Sequence, residues 1–197
     1  MRERDKALLT EVSAWLCAAP IETERLRLRQ FREADFPDYF AYAVQKEQQR
    51  LSGNAQVRTE AEAREMFASF FPADHPPLQF ALAVRERDRV IGNFSVGIYP
   101  FLEGRGEVQG KRGVSLSFVL NEDWQRRGLM TELLRRMLDF FLREHDLDYV
   151  NCGYFEFNEG SRRLMEKLGM RHWFGHIFPE GDIPTEEMIL WREDWNA

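Results

Sequence analysis

Apolar positions along the chain change period several times, and each change marks an element. Met130, Leu133, Leu134, Met137, Leu138, Phe141 and Leu142 follow the three-then-four spacing of one buried helix face. Just upstream, Val114-Ser115-Leu116-Ser117-Phe118-Val119-Leu120 alternates, the period of a half-buried strand. Between them lies Trp124-Gln125-Arg126-Arg127-Gly128-Leu129-Met130-Thr131, a basic turn containing one glycine. The first N–H groups of a helix lack internal partners and carry the positive end of its dipole, so a strand, turn and helix in this order can hold an anion. Gly128 allows a phosphate to approach without interference from a Cβ.

The same reading covers the rest of the chain. Leu8, Leu9, Val12, Trp15 and Leu16 describe an amphipathic helix that ends before Pro20. Its stripe is expected to pack on the domain as an N-terminal extension, a homodimer contact or a membrane-surface helix being the alternatives. Leu26-Arg27-Leu28-Arg29 alternates as a first strand. Phe31 to Val44 reads as helix, with Asp35 as N-cap, Pro37 in the first turn and Phe36, Tyr39, Phe40 and Ala43 on its apolar face. Thr59 caps a helix carrying Ala63, Met66, Phe67, Phe70 and Phe71, an aromatic density that reads as core. Phe80–Val84 and Val90–Ile98 form an antiparallel hairpin around a charged turn. The glycine-rich segment from Pro100 to Gly113 is either a functional flap or a solvated insertion. Tyr149 to Phe157 reads as strand, Asn158 as the cap of a short helix, Gly169 as its left-handed end, and Glu187 to Trp191 as a last strand.

Composition narrows the function. A chain of 197 residues, 44% hydrophobic and 30% charged, has room for one substantial core and no long linker divides it. The expected organisation is a helical extension over residues 1–20 and one domain over 21–197. A formal charge of −6 argues against general nucleic-acid binding, because neutralising a phosphate backbone needs a basic surface. Cys17 and Cys152 have no metal-ligand or redox spacing, and the four histidines form no metal-type cluster, so no metal is expected. The chain also lacks an apolar run long enough to span a membrane, and a cytoplasmic protein is expected.

Two motifs in order add a resemblance. The turn fits the Q/R-x-x-G-x-G/A loop of the GCN5-related N-acetyltransferases (GNAT), with Gln125 and Gly128 matching and Met130 standing where glycine or alanine is usual. Downstream, Asn158-Glu159-Gly160-Ser161 followed by Leu164-Met165-Glu166-Lys167-Leu168-Gly169-Met170 resembles the N-x-x-S…EKLGF segment of that superfamily. Glu24-Arg25-Leu26-Arg27-Leu28-Arg29 and Glu193-Asp194-Trp195 are similar to the ribosomal-protein alanine/serine acetyltransferase-like branch, and the resemblance runs from Ile21 to Trp195.

The resemblance implies a mixed α/β GNAT-like fold: a strongly twisted, mostly antiparallel central sheet with flanking helices and a splayed strand pair at the cofactor site. It implies acetyl-CoA as co-substrate and an amine acceptor, either a protein N-terminus or a small molecule. The pantetheine arm would lie along Phe118, Val119 and Leu120, and the pyrophosphate on Gln125, Arg126, Arg127, Gly128, Leu129, Met130 and Thr131. Asn158 would contact the arm, and Ser161 would lie near the departing thiolate as proton donor. Helix capping alone also accounts for Asn158 and Ser161. In this branch a glutamate commonly stands on the fourth strand where this chain has Ser115, which cannot replace a carboxylate base. Three readings stay open: another carboxylate acts through water, with Glu107, Glu103 and Glu156 as candidates; chemistry is slow; or the chain is a catalytically weak acyl-CoA-binding or interaction protein.

Overall fold

A computed structural model describes residues 2–52, 57–99, 102, 105–178 and 181–196. In chain order its elements are α1 (Glu3–Ala18), β1 (Ile21–Glu22), β2 (Leu26–Gln30), α2 (Phe36–Ala43), α3 (Lys46–Ser52), α4 (Glu60–Ala68), β3 (Gln79–Val84), β4 (Arg89–Gly97), β5 (Gly113–Leu120), α5 (Leu129–Asp139), β6 (Tyr149–Phe155), α6 (Glu159–Lys167), β7 (Arg171–Phe178) and β8 (Ile183–Trp191). In this mixed α/β fold the eight strands form one mostly antiparallel sheet in the order β1-β2-β3-β4-β5-β6-β8-β7. The registers of β1 with β2, β2 with β3, β3 with β4, β6 with β8 and β7 with β8 are antiparallel; β5 with β6 is parallel. Among the described residues no helix is long and apolar enough to cross a membrane.

The chain divides into two compact units, the first comprising Arg2–Val96 with Phe118–Met130. In it α1 buries Leu9, Val12 and Leu16, and its Ser13 hydroxyl donates to the Pro77 carbonyl at 2.6 Å. Phe31, Phe36, Tyr39, Phe67 and Phe70 form an aromatic core in which the rings of Phe31 and Phe67 meet edge to face at 5.5 Å. The expected cap at Thr59 is present as a reciprocal box with Glu62. Asp35 departs from its expected role. It stands at the N-cap position of α2, but its side chain makes no cap bond there. Its carboxylate instead takes two parallel hydrogen bonds from the buried Arg29 guanidinium, at 2.7 and 2.9 Å, and one from the Arg32 N–H at 2.8 Å. Charge-assisted bidentate pairing outcompetes a single helical amide for the same oxygens. The helix consequently begins at Phe36, after a 3-10 turn over Glu33–Asp35, and not at Phe31.

The second unit holds the described residues of Gly97–Ser117 and Thr131–Ala197. Leu133, Leu134, Met137, Leu138 and Phe141 are buried as the spacing predicts, and beyond Asp139 the helical path continues as a π turn over Phe140–Glu144. β6 pairs with β8 from Tyr149↔Trp191 to Phe155↔Thr185. Strand β7 has no counterpart in the sequence reading, and β8 starts at Ile183, four residues ahead of expectation. β7 lies at the sheet edge and its residues are exposed or half-buried throughout, so it carries no buried apolar alternation to read. Gly169, at φ +81°, closes α6 as expected.

Candidate functional site

In the first unit the turn after β5 is built by its own backbone. The Asn121 N–H donates to the Ile91 carbonyl at 2.8 Å, and the Asn121 side-chain oxygen accepts from the Asp123 N–H at 3.0 Å. A 3-10 turn over Glu122–Trp124 follows, and then Arg126 and Gly128 take left-handed conformations, φ +59° and +76°, before α5 starts at Leu129. These two residues reverse the chain and leave residues 126–128 exposed ahead of an 11-residue helix.

The side chains around this turn divide by direction. Leu129 and Met130 are buried, so Met130 serves the core as its place in the apolar stripe predicts. The Gln125 amide donates back to the Leu120 carbonyl at 3.0 Å, bracing the end of the strand. Arg127 donates to the Asp123 carbonyl at 2.6 Å and lies over the Trp124 ring at 5.0 Å. Arg25, which the sequence reading used only as part of a motif, donates to the Arg127 carbonyl at 3.0 Å. A Cβ placed on Gly128 would meet only the Arg25 guanidinium, at 3.6 Å. The concavity of about 640 Å³ beside the turn has four arginines in its walls, Arg25, Arg27, Arg85 and Arg127, against two carboxylates, Glu24 and Glu86. Left-handed backbone, open space above a glycine and clustered guanidinium groups suit a phosphate-bearing ligand. Upstream, Val119 is buried while Phe118 and Leu120 are half-buried.

In the second unit the parallel register of β5 with β6 runs from Gly113↔Tyr149 to Leu116↔Cys152 and goes no further, although β6 continues to Phe155. Immediately past it, Ser117 and Gly153 are exposed in strands otherwise buried around them. This is the divergence expected of a splayed pair. Asn158 accepts the Ser161 N–H on its side-chain oxygen at 3.1 Å and so caps α6; Ser161 sits half-buried in the first helical turn.

Beside the divergence lies a buried polar chain that no sequence motif marked. Ser115 Oγ donates to Asn151 Oδ1 at 2.7 Å, Asn151 Nδ2 donates to Glu187 Oε2 at 2.9 Å, and Glu187 Oε1 faces His176 Nε2 at 3.3 Å. Ser115, Asn151 and Glu187 are 1%, 0% and 3% exposed. Loss of water raises the Glu187 carboxyl above its ordinary range, against the hydrogen bonds from Asn151 and His176 and the charge of Arg105. Burial, then the Glu187 charge, likewise raises the Cys152 thiol, which is inert as a nucleophile. The Arg105 guanidinium lies 3.0 Å from the Phe174 ring centroid, and its Nε is buried without a hydrogen-bond partner among the described residues. Of the carboxylates singled out earlier, Glu107 and Glu156 are exposed and Glu103 lies outside the described residues. Glu187 escaped notice because it is one acidic residue in a strand-forming run, and only strand pairing brings it against Asn151.

Comparison with known proteins supplies the family. Residues 25–171 match the Acetyltransferase (GNAT) domain. The chain is 24% identical over 180 residues to the uncharacterized N-acetyltransferase YnaD of Bacillus subtilis, covering 89% of this chain and 99% of that protein. A GNAT-family acetyltransferase from Bacillus anthracis superposes with a TM-score of 0.73 at 20% identity, over 89% of this chain and 99% of its own. A GCN5-related N-acetyltransferase from Brucella melitensis gives the same TM-score of 0.73 at 16% identity, over 90% of this chain and 80% of its own. With the domain match spanning well over half of its length, the chain belongs to the GNAT acetyltransferase family and is, by class, an acetyl-CoA-dependent N-acetyltransferase.

Proposed function

We propose that this chain transfers an acetyl group to a primary amine, carried by a protein N-terminus or a small molecule, within residues 21–197. The observation that carries this reading is the turn over residues 125–128. Arg126 and Gly128 are left-handed and residues 126–128 are exposed ahead of a long helix, and Arg25 and Arg127 stand beside them. These groups suit the pyrophosphate of acetyl-CoA, with Leu129, Met130 and Thr131 contributing backbone at the helix start and Phe118, Val119 and Leu120 flanking the arm. Gln125, whose side chain is engaged by the strand, would contribute through its main chain. Asn158 and Ser161 would serve the arm and the thiolate.

An α-amine, with an ordinary pKa of about 8, needs less help to lose its proton than a lysine-type amine near 10.4. The acceptor therefore bears on how strong a base the protein must supply. Ser115, a serine with no carboxylate, is the one observation that favours a second reading, that of a protein that binds acyl-CoA and transfers slowly.

Calorimetry with coenzyme A, together with thiol release from acetyl-CoA across alanine- and serine-initiated peptides and small amines, tests both. Transfer at turnover rates above the uncatalysed background supports the first reading; tight coenzyme A binding with no transfer to any amine supports the second.

A further inference from the structure

We infer that Glu187 is the proton acceptor of the transfer reaction, a role that rests on the acetyl-transfer reading above and that Ser115 cannot fill. Position is the first argument. The β5–β6 register ends at Leu116↔Cys152, the next residue of each strand is exposed, and the Glu187 carboxylate sits against Gly153, with Cδ 3.1 Å from where its Cβ would stand. Only a glycine leaves room for the carboxylate at this opening. Among the described glutamates considered, Glu107 and Glu156 project from exposed positions with no comparable enclosure.

The second argument is how the carboxylate is held. Asn151 aims one end of its side-chain amide at each neighbour: its oxygen accepts from Ser115, and its nitrogen therefore presents N–H to Glu187. Ser115 thus acts as a positioning residue that fixes the orientation of the Asn151 amide. The other Glu187 oxygen faces the His176 imidazole, whose side chain is 17% exposed, giving a proton a way out to water. The charged and titratable groups facing Glu187 are His176 from β7, Cys152 from β6, and Tyr99 and Arg105 from the segment preceding β5. A carboxylate desolvated in this way, with no arginine or lysine hydrogen-bonded to it among the described residues, is more basic than one in water. Packing alone gives no reason for an ionisable group there, since burying one costs stability unless it is well paired.

The chemistry balances with the groups named. The amine nitrogen bonds to the thioester carbonyl carbon and the carbon–sulfur bond breaks. An acceptor that arrives as the ammonium loses two protons on becoming the amide: Glu187 takes one and passes it through His176 to water, and the other goes from the nitrogen to the departing thiolate. No oxidant, reductant or metal enters.

The test measures wild type, Glu187→Gln, Glu107→Gln and Ser115→Ala with a serine-initiated peptide and spermidine as probes. Circular dichroism and coenzyme A affinity serve as readouts independent of turnover. Removing a general base costs about 10²–10⁴-fold in rate, so Glu187→Gln should lose at least about 100-fold in kcat with coenzyme A affinity preserved. In wild type the rising limb of the pH profile should have the same midpoint for both amines, and in Glu187→Gln it should move to each amine's own pKa. Ser115→Ala, by loosening the donor to the carboxylate, should move the wild-type midpoint upward. A folded Glu187→Gln with wild-type kcat, or a larger loss in Glu107→Gln, overturns the assignment. If Glu187→Gln fails to fold, the wild-type profiles decide alone: a limb that tracks each amine overturns it. Coenzyme A binding without transfer to any amine overturns the acetyl-transfer reading itself, and the role of Glu187 falls with it.

Discussion

The carboxylate of Glu187 occupies the space that a side chain on Gly153 would need. Gly153→Ala therefore pushes at the far end of a flexible side chain, first at the Oε1 that faces His176 at 3.3 Å, while Asn151 holds Oε2 at 2.9 Å. The displaced carboxylate loses part of one charge-assisted hydrogen bond, so the expected destabilisation is small, about 1–3 kcal/mol. Misplacing a reacting group by an ångström costs far more in rate, up to about 100-fold. The expected outcome is a folded variant with kcat reduced at least tenfold, read by thiol release beside a thermal melt. Unchanged kcat in Gly153→Ala would place the carboxylate away from the reaction.

Arg29 and Asp35 make a buried, bidentate ion pair in the first unit. The guanidinium and carboxylate side chains are 4% and 9% exposed and share two parallel hydrogen bonds, while Asp88 touches the same guanidinium at 3.1 Å from a more open position. Asp35→Ala leaves a buried cation facing only Asp88, and breaking such a pair costs about 3–5 kcal/mol. Asp88→Asn removes the charge of a part-exposed partner while keeping a residue type that tolerates its left-handed φ of +50°, and its cost should stay near 1 kcal/mol. Urea unfolding of both variants checks the ranking.

Gly92 is tighter still. A Cβ there would collide with the Val119 carbonyl and approach the Leu120 Cα to 3.2 Å, and neither atom can rotate away because both are backbone. Gly92→Ala must spread β4 from the end of β5, the stretch expected to flank the pantetheine arm. Overpacking of this kind costs about 1–3 kcal/mol. Coenzyme A affinity should fall along with the melting temperature. A melting temperature equal to wild type would mean that the two strands already have slack.

These sites also show what a sequence could and could not disclose. The strand, turn and helix from Gly113 to Asp139, and the capped start of α6, were legible because the apolar residues of β5 and α5 keep one period each and because Gly128 and Asn158 occupy positions where only a few residue types serve. The buried face of Met130 followed from the same period. Strand β7 was hidden because an exposed edge strand needs no alternation. Asp35 was misread because its preferred partner, Arg29, lies on another element. The chain from Ser115 through Asn151 to Glu187 joins three strands, β5, β6 and β8, and its parts mean nothing singly. A buried polar network is a property of pairing, and pairing is long-range.

For the turn, the prediction separates backbone from charge. Gly128 has a left-handed φ of +76°, which costs an ordinary residue roughly 1–2 kcal/mol, yet the space above it holds only the Arg25 guanidinium at 3.6 Å. Gly128→Ala should therefore fold with a modest penalty, whereas Gly128→Val should block a phosphate and abolish measurable coenzyme A binding. Arg126 is exposed, so Arg126→Ala removes a charge that salt already screens and should weaken binding only a few-fold. Calorimetry at two salt concentrations reads both. Retained affinity in a folded Gly128→Val would remove the turn from the ligand site.

The raised Glu187 carboxyl makes a stability prediction of definite sign. Loss of water is the main cause, outweighing the hydrogen bonds from Asn151 and His176. An acid whose folded pKa lies above its unfolded value binds its proton more tightly in the native state. The linkage slope is then negative: stability falls as pH rises from the unfolded glutamate value, about 4.3, to the folded one, and is level above it. Glu187→Gln keeps the shape and an acceptor for Asn151 but has no proton to lose. Its stability relative to wild type should therefore climb across the window that opens near pH 4.3 and be greatest above the folded pKa, the same range in which the wild-type carboxylate is ionised and able to accept a proton. The variant would be the more stable and the less active protein at neutral pH. His176 Nε2 faces Glu187 Oε1 at 3.3 Å, so each chain should be compared with its His176→Gln partner, which removes the imidazole from the difference. Urea midpoints at half-unit pH intervals give the curve. If wild type gains stability relative to Glu187→Gln as pH rises through this window, Glu187 is held as a stabilised ion, and the desolvated base is the wrong description of it.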